Sequence, residues 1–156
     1  MAEENDGYNS TKKIYCNFKV KKMEAEAKVY QIYYDNLVDA VVMEWRGYAT
    51  SEEFKAGTEL MLENLIKNKT FKVLADIKDM TIIAREDQEW LNTEFLPRAT
   101  ELGFKVIAIV KPDHYFNRVA VESISYKVDK NKLAINFFET VAQARTWLRL
   151  IDKPEE

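Results

Sequence analysis

The stretch from Phe71 to Val110 limits what this chain can fold into more than any other: FKVLADI, then EDQEWLNTEFLPRATEL, then GFKVIAIV. The two outer runs are short and almost continuously apolar, as strands covered on both faces are. The segment between them has helical periodicity. Two buried strands joined through a helix are parallel, and such a crossover is right-handed in nearly every case. The unit therefore sets an α/β class before any chemistry is considered. Chemistry is what it lacks: there is no glycine-rich phosphate loop, no metal-ligand spacing and no nucleophile with a partner base.

The flanking sequence extends the same architecture. Residues 1–12 are polar and predict an unstructured tail. Ile14, Cys16, Phe18 and Val20 alternate with polar residues and predict a first strand. Lys28 to Tyr34 and Val38 to Trp45 predict a hairpin turning at Asp35-Asn36. Thr50, with Glu53 three residues on, forms a capping box that opens a helix with Phe54, Gly57, Met61 and Leu65 on one face. Because a mid-helix glycine costs about 1 kcal/mol relative to alanine, Gly57 points to close approach of helix and sheet.

A second helix is expected from about Arg85 to Leu102, stopped by Gly103 and kinked or broken near Leu96 by Pro97. After the strand ending at Val110, Asp113 is expected to cap a third helix from Tyr115 to Val128, with Phe116, Val119, Ala120 and Ile124 inward. Leu133 to Phe138 predicts the last strand. Thr140 to Ile151 predicts the last helix, burying Val141, Ala144, Leu148 and Ile151. The sum is one α/β domain over residues 13–152, a polar tail at 153–156, and a mixed, mostly parallel sheet with about four helices packed against it.

Charge and composition narrow the partners. A net charge of −3 opposes nucleic acid. Lys12, Lys13, Lys19, Lys21 and Lys22 cluster locally, but beside Glu24 and Glu26 and without interleaved arginines they read as a solvated edge strand. The single Cys16 excludes an intrachain disulfide and fits a reducing compartment. No apolar run approaches the ~20 residues of a membrane span, and the N-terminal residues are acidic rather than signal-like. A cytoplasmic protein, not integral to a membrane, is expected.

Several motifs together resemble a known family. They are Trp45-x-Gly47 after the hairpin, LADIKDM after the first helix, EDQEWL opening the second, FLPRATELGF closing it, and FFETVAQARTWL near the end. This set is similar to the SpoIIAA-like group of STAS domains, named for sulfate transporters and anti-sigma-factor antagonists. The resemblance spans about Lys28 to Ile151 and implies the STAS fold and a non-enzymatic, regulatory or protein-interaction role. Anti-sigma-factor antagonists carry a phosphorylated serine where the following helix begins. By spacing from Asp76 this chain has Ala84-Arg85-Glu86-Asp87 there, with no serine, and Thr81 is the nearest hydroxyl.

Candidate site residues gather around that point. Met80 to Ala84 is apolar for a loop, and such a loop is either covered or binds something. The expected partner or ligand surface is Asp79, Met80, Thr81, Ile82, Ile83, Arg85, Asp87 and Trp90, joined by His114 and Arg118 from the next loop and helix. An unknown protein partner is the leading occupant. The alternative is a small apolar, lipid-like ligand in a pocket lined by Trp90 and Phe95 and gated at Pro97. His114 is the lone histidine, and without a nucleophile beside it no catalytic residue is assigned. Asp76, Asp79, Glu86 and Asp87 match no calcium loop, and Glu86 and Asp87 read as helix-capping charge, so neither metal nor cofactor is expected. Tyr33, Tyr34 and the N-terminal strand offer an edge across which a homodimer could form.

Overall fold

Residues 28–152 are described in the computed structural model of the chain. Within them five strands lie side by side in chain order: β1 (Tyr30–Asp35), β2 (Ala40–Gly47), β3 (Lys72–Met80), β4 (Val106–Val110) and β5 (Ala134–Phe138). β1 is antiparallel to β2, and the remaining pairs are parallel. Three right-handed crossovers stepping in one direction leave their helices on one face. That face carries α1 (Ser51–Lys67), then α2 (Arg85–Trp90) running through a π turn (Leu91–Phe95) into α3 (Leu96–Glu101), then α4 (Tyr115–Lys127). Among the described helices, α5 (Val141–Arg149) alone packs on the other face.

Strand alternation divides the core accordingly. Val41, Met43, Trp45, Val73, Ala75 and Ile77 point to the three-crossover face. Val42, Leu74, Val106, Ala108 and Val110 point to α5, where they meet Ala144 and Leu148. α5 is held by more than its apolar stripe. The Nζ of Lys72, buried in β3, donates to the carbonyls of Leu148 (2.8 Å) and Ile151 (3.3 Å), placing a cation at the negative end of the helix. Arg145 pairs with Asp35 at the end of β1.

Local signals act as their chemistry dictates. The Glu53 N–H donates to Thr50 Oγ1 at 3.2 Å and the Thr50 N–H to Glu53 Oε1 at 3.1 Å, completing the capping box. A Cβ on Gly57 would stand 2.6 Å from Trp45 Cη2, so α1 does approach the sheet where the glycine sits. The break expected near Leu96 takes the form of the π turn: the Leu96 N–H reaches the Leu91 carbonyl, five residues back. Pro97 then falls in the first turn of α3, where its missing N–H costs little.

Three expectations are corrected. α4 is turned so that Phe116, 75% exposed, and Val119 face outward, while Asn117, Ala120, Val121 and Ile124 face in. Asn117 replaces an apolar neighbour because its amide has backbone partners inside. Asp113 does not cap α4; His114 holds that position without a side-chain bond, and Asp113 instead donates its backbone N–H to the Lys78 carbonyl at 3.0 Å. On α5, Val141 is exposed and Ile151 half-buried, leaving Ala144 and Leu148 as the buried stripe. The strand expected over residues 13–20, with Cys16 and the lysine cluster, lies outside the described residues.

Candidate functional site

The loop leaving β3 is stitched down rather than open. Asn117, fully buried in the first turn of α4, accepts the Ile83 N–H on Oδ1 at 3.0 Å and donates from Nδ2 to the Met80 carbonyl at 3.2 Å. Gln88 Nε2 donates to the Ile83 carbonyl at 2.7 Å, and the Thr81 N–H to the Gly47 carbonyl at 2.9 Å. With its backbone groups paired in this way, the loop can bury its apolar side chains. Met80 and Ile83 are 1% and 6% exposed, so neither belongs to a surface, contrary to expectation. Their hydrophobicity is spent on the core.

Asp87 is also buried, which removes it from the expected surface. Its Oδ2 accepts the Ser51 hydroxyl at 3.0 Å, and its Oδ1 has no hydrogen-bond partner among the described residues. Ser51 begins α1 and Asp87 lies in the first turn of α2, so the carboxylate sits where the positive ends of two helices meet. Trp90 is half-buried between Phe54 and Phe95, with ring centroids 6.3 and 5.3 Å away, and Lys55 Nζ lies 5.5 Å from its ring.

The remaining expected residues stay accessible, and of them only Ile82 and Arg85 come together, in a groove between α2 and α4. Asp79, Thr81, Arg85, His114 and Arg118 are exposed and Ile82 is half-buried. Arg118 donates from Nε and Nη2 to the Pro112 carbonyl at 3.2 and 3.1 Å, so its guanidinium serves the backbone of its own loop. Among the described residues no group of three or more His, Cys, Asp or Glu side chains is arranged to hold a metal ion.

What the fold does assemble is a groove of about 650 Å³ between α2, with its π turn, and α4. Ile82, Phe116, Val119 and Ala120 make it apolar along one side. Arg85, Gln88, Glu89 and Asn92 line the α2 wall. Of these, only Ile82 and Arg85 were expected at a binding surface, and Phe116, Val119 and Ala120 were expected to face the core. The signal for the others was the pair Tyr115-Phe116 opening a helix: two adjacent aromatics span about 100° of helix, and both point to solvent here. Their rings meet edge to face at 5.7 Å.

Beneath the same helices, against the sheet, lies a cavity of about 110 Å³. Met43, Ala75, Ile77 and Ile109 line it from the sheet, Met80 from the end of β3, Ile83 from the loop that follows, and Phe95 from the helix layer. Phe95 lines this cavity and Trp90 does not.

Comparison with known proteins places this architecture. A family model described as SpoIIAA-like matches residues 40–149, from the start of β2 to the end of α5. The chain belongs to the SpoIIAA-like family. A solved structure from Shewanella loihica PV-4, an uncharacterised protein of the DUF3478 family with a SpoIIAA-like fold, is similar with a TM-score of 0.51. It is 22% identical, over 76% of this chain and 91% of that one, a likeness of fold. No protein of curated function matches. In this SpoIIAA-like chain α2 is preceded by Ala84, which offers no side-chain cap, and no described helix is long and apolar enough to cross a membrane.

Proposed function

We propose that this chain is a non-enzymatic STAS-type module of the cytoplasm that docks a partner protein in the groove between α2 and α4. The observation that carries the reading is Phe116, three-quarters exposed beside Val119 and Ile82 at a concave seam. Exposed aromatics over a groove are what a partner's apolar side chains bury, and aromatic anchors supply much of the binding energy where such surfaces meet. A photo-crosslinking residue placed at Phe116 captures the partner. The same residue at Lys132, in the turn before β5, does not. Retention of the captured complex at full strength by a Phe116→Asp, Val119→Glu variant excludes the groove as its site.

A second reading has its own observation. The 110 Å³ cavity is lined almost wholly by apolar side chains, which suits a small apolar ligand carried there. An organic extract of freshly purified protein, analysed by gas chromatography and mass spectrometry, contains that molecule in near-stoichiometric amount. An extract with no such molecule, from protein that also fails to take up benzene, removes this reading.

A further inference from the structure

The cavity and the groove are opposite sides of one helix pair. Consecutive residues divide between them: Leu91 lines the cavity and Asn92 the groove, Val121 the cavity and Ala120 the groove, Ile124 the cavity and Ser123 the groove. Anything that displaces these turns at the cavity displaces them at the groove.

The helix layer also has a place to yield. At the π turn the backbone ladder is irregular, with the Leu96 N–H bonded to the Leu91 carbonyl, and Pro97 contributes no N–H to the next turn. Such insertions are where helices shift, because fewer intrahelical bonds must be exchanged there. Leu91 and Phe95, the ends of the π turn, both line the cavity.

The lining defines the ligand. Two of its residues carry hydroxyls: Thr58 Oγ1 donates to the Phe54 carbonyl at 2.7 Å, and Ser125 Oγ accepts from Lys130 Nζ at 3.1 Å. No charged side chain lines the cavity. A carboxylate or phosphate would be stranded there, whereas an apolar cavity of about 150 Å³ is known to stay dry and take benzene.

We propose that an uncharged apolar group no larger than about a benzene ring, bound in this cavity, wedges α2 and α4 apart and so sets the width of the docking groove. This rests on the groove being the docking site. A ligand shifts such an equilibrium only by the difference in its affinity for the two spacings, and the wider spacing is the one with room for it.

The test uses the full chain with Cys16→Ser and spin labels at Glu89→Cys and Ser123→Cys, one on each wall of the groove, and benzene as the probe. Pulsed dipolar spectroscopy gives the inter-label distance, and methyl resonances of Val121 and Ile124 report whether benzene occupies the cavity. The expected result is a longer mean distance that saturates together with the methyl shifts. Ala75→Leu, which fills the cavity from the sheet, abolishes both; Ser125→Leu, which fills it from α4, replaces it should the first variant not fold. Saturable methyl shifts with an unchanged distance overturn the coupling and leave the ligand reading standing. Absence of any saturable shift overturns both. A distance change that persists in the filled variants puts benzene in the groove and overturns the proposal. No partner is present, so partner docking is judged separately.

Discussion

Asn117 holds Ile83: from the first turn of α4 its Oδ1 accepts the Ile83 N–H at 3.0 Å, and its Nδ2 donates to the Met80 carbonyl at 3.2 Å. A side chain that could have been one more apolar contact instead fixes the loop that follows β3. Replacing it with alanine leaves two backbone groups buried without partners, a loss of about 2 to 4 kcal/mol. Urea unfolding of Asn117→Ala measures this. Hydrogen exchange localises it, with the Ile83 amide losing protection ahead of the β3 amides. Equal loss of protection across the sheet contradicts a local clamp.

Gly57→Ala is destabilising despite the helix propensity it gains. The new Cβ would lie 2.6 Å from Cη2 and 2.9 Å from Cζ2 of Trp45, and that indole is itself wedged between Tyr30 and Phe54 at 5.1 and 5.6 Å. An overpacked site of this kind loses about 1 to 3 kcal/mol, more than the ~1 kcal/mol that alanine returns. Thermal unfolding followed by tryptophan fluorescence reads the net change, and a rise in Tm would show that the ring can move aside.

The Asp35–Arg145 pair gives stability an acid limb. Burial raises the Asp35 pKa, but the Arg145 guanidinium and the backbone N–H groups of Leu37 and Val38 outweigh it and hold the carboxyl below its ordinary 3.8. A carboxyl depressed in the folded state contributes stability that is present above 3.8 and disappears as pH falls through the folded value. Wild-type unfolding free energy therefore drops in the window beginning near pH 3.8 and extending below it. Asp35→Asn, measured by chemical unfolding across the same range, has a shallower drop; identical slopes would remove the pair as a source.

The strand and helix order could be read from the sequence because each element announces itself locally. The runs at Phe71 and Gly103 are too short and too apolar for anything but buried strands, and Thr50 with Glu53 marks a helix start wherever it occurs. The facing of α4 could not be read that way. Phe116 and Val119 fit an inward stripe as well as Asn117 does not, and only the distant carbonyl of Met80 and N–H of Ile83 make the amide the better residue to bury. The site was half legible for the same reason. An apolar run from Met80 to Ala84 signalled something unusual, but whether such a run is surface or core depends on what packs over it, and Ile82 alone lines the groove while Met80 and Ile83 line the cavity. The groove belongs to two helices separated by a strand, so no window along the chain contains it.

Because α5 alone among the described helices covers the second face, order of synthesis matters for this chain. When the ribosome has released β5, the helices of the three crossovers can already close over Val41, Val73 and Ile77, while Val42, Leu74 and Ala108 still face water. Chain growth at about 5 to 20 residues per second leaves that apolar surface uncovered for on the order of a second until α5 follows. Lys72 waits on the same face until the helix end that satisfies its ammonium has been made.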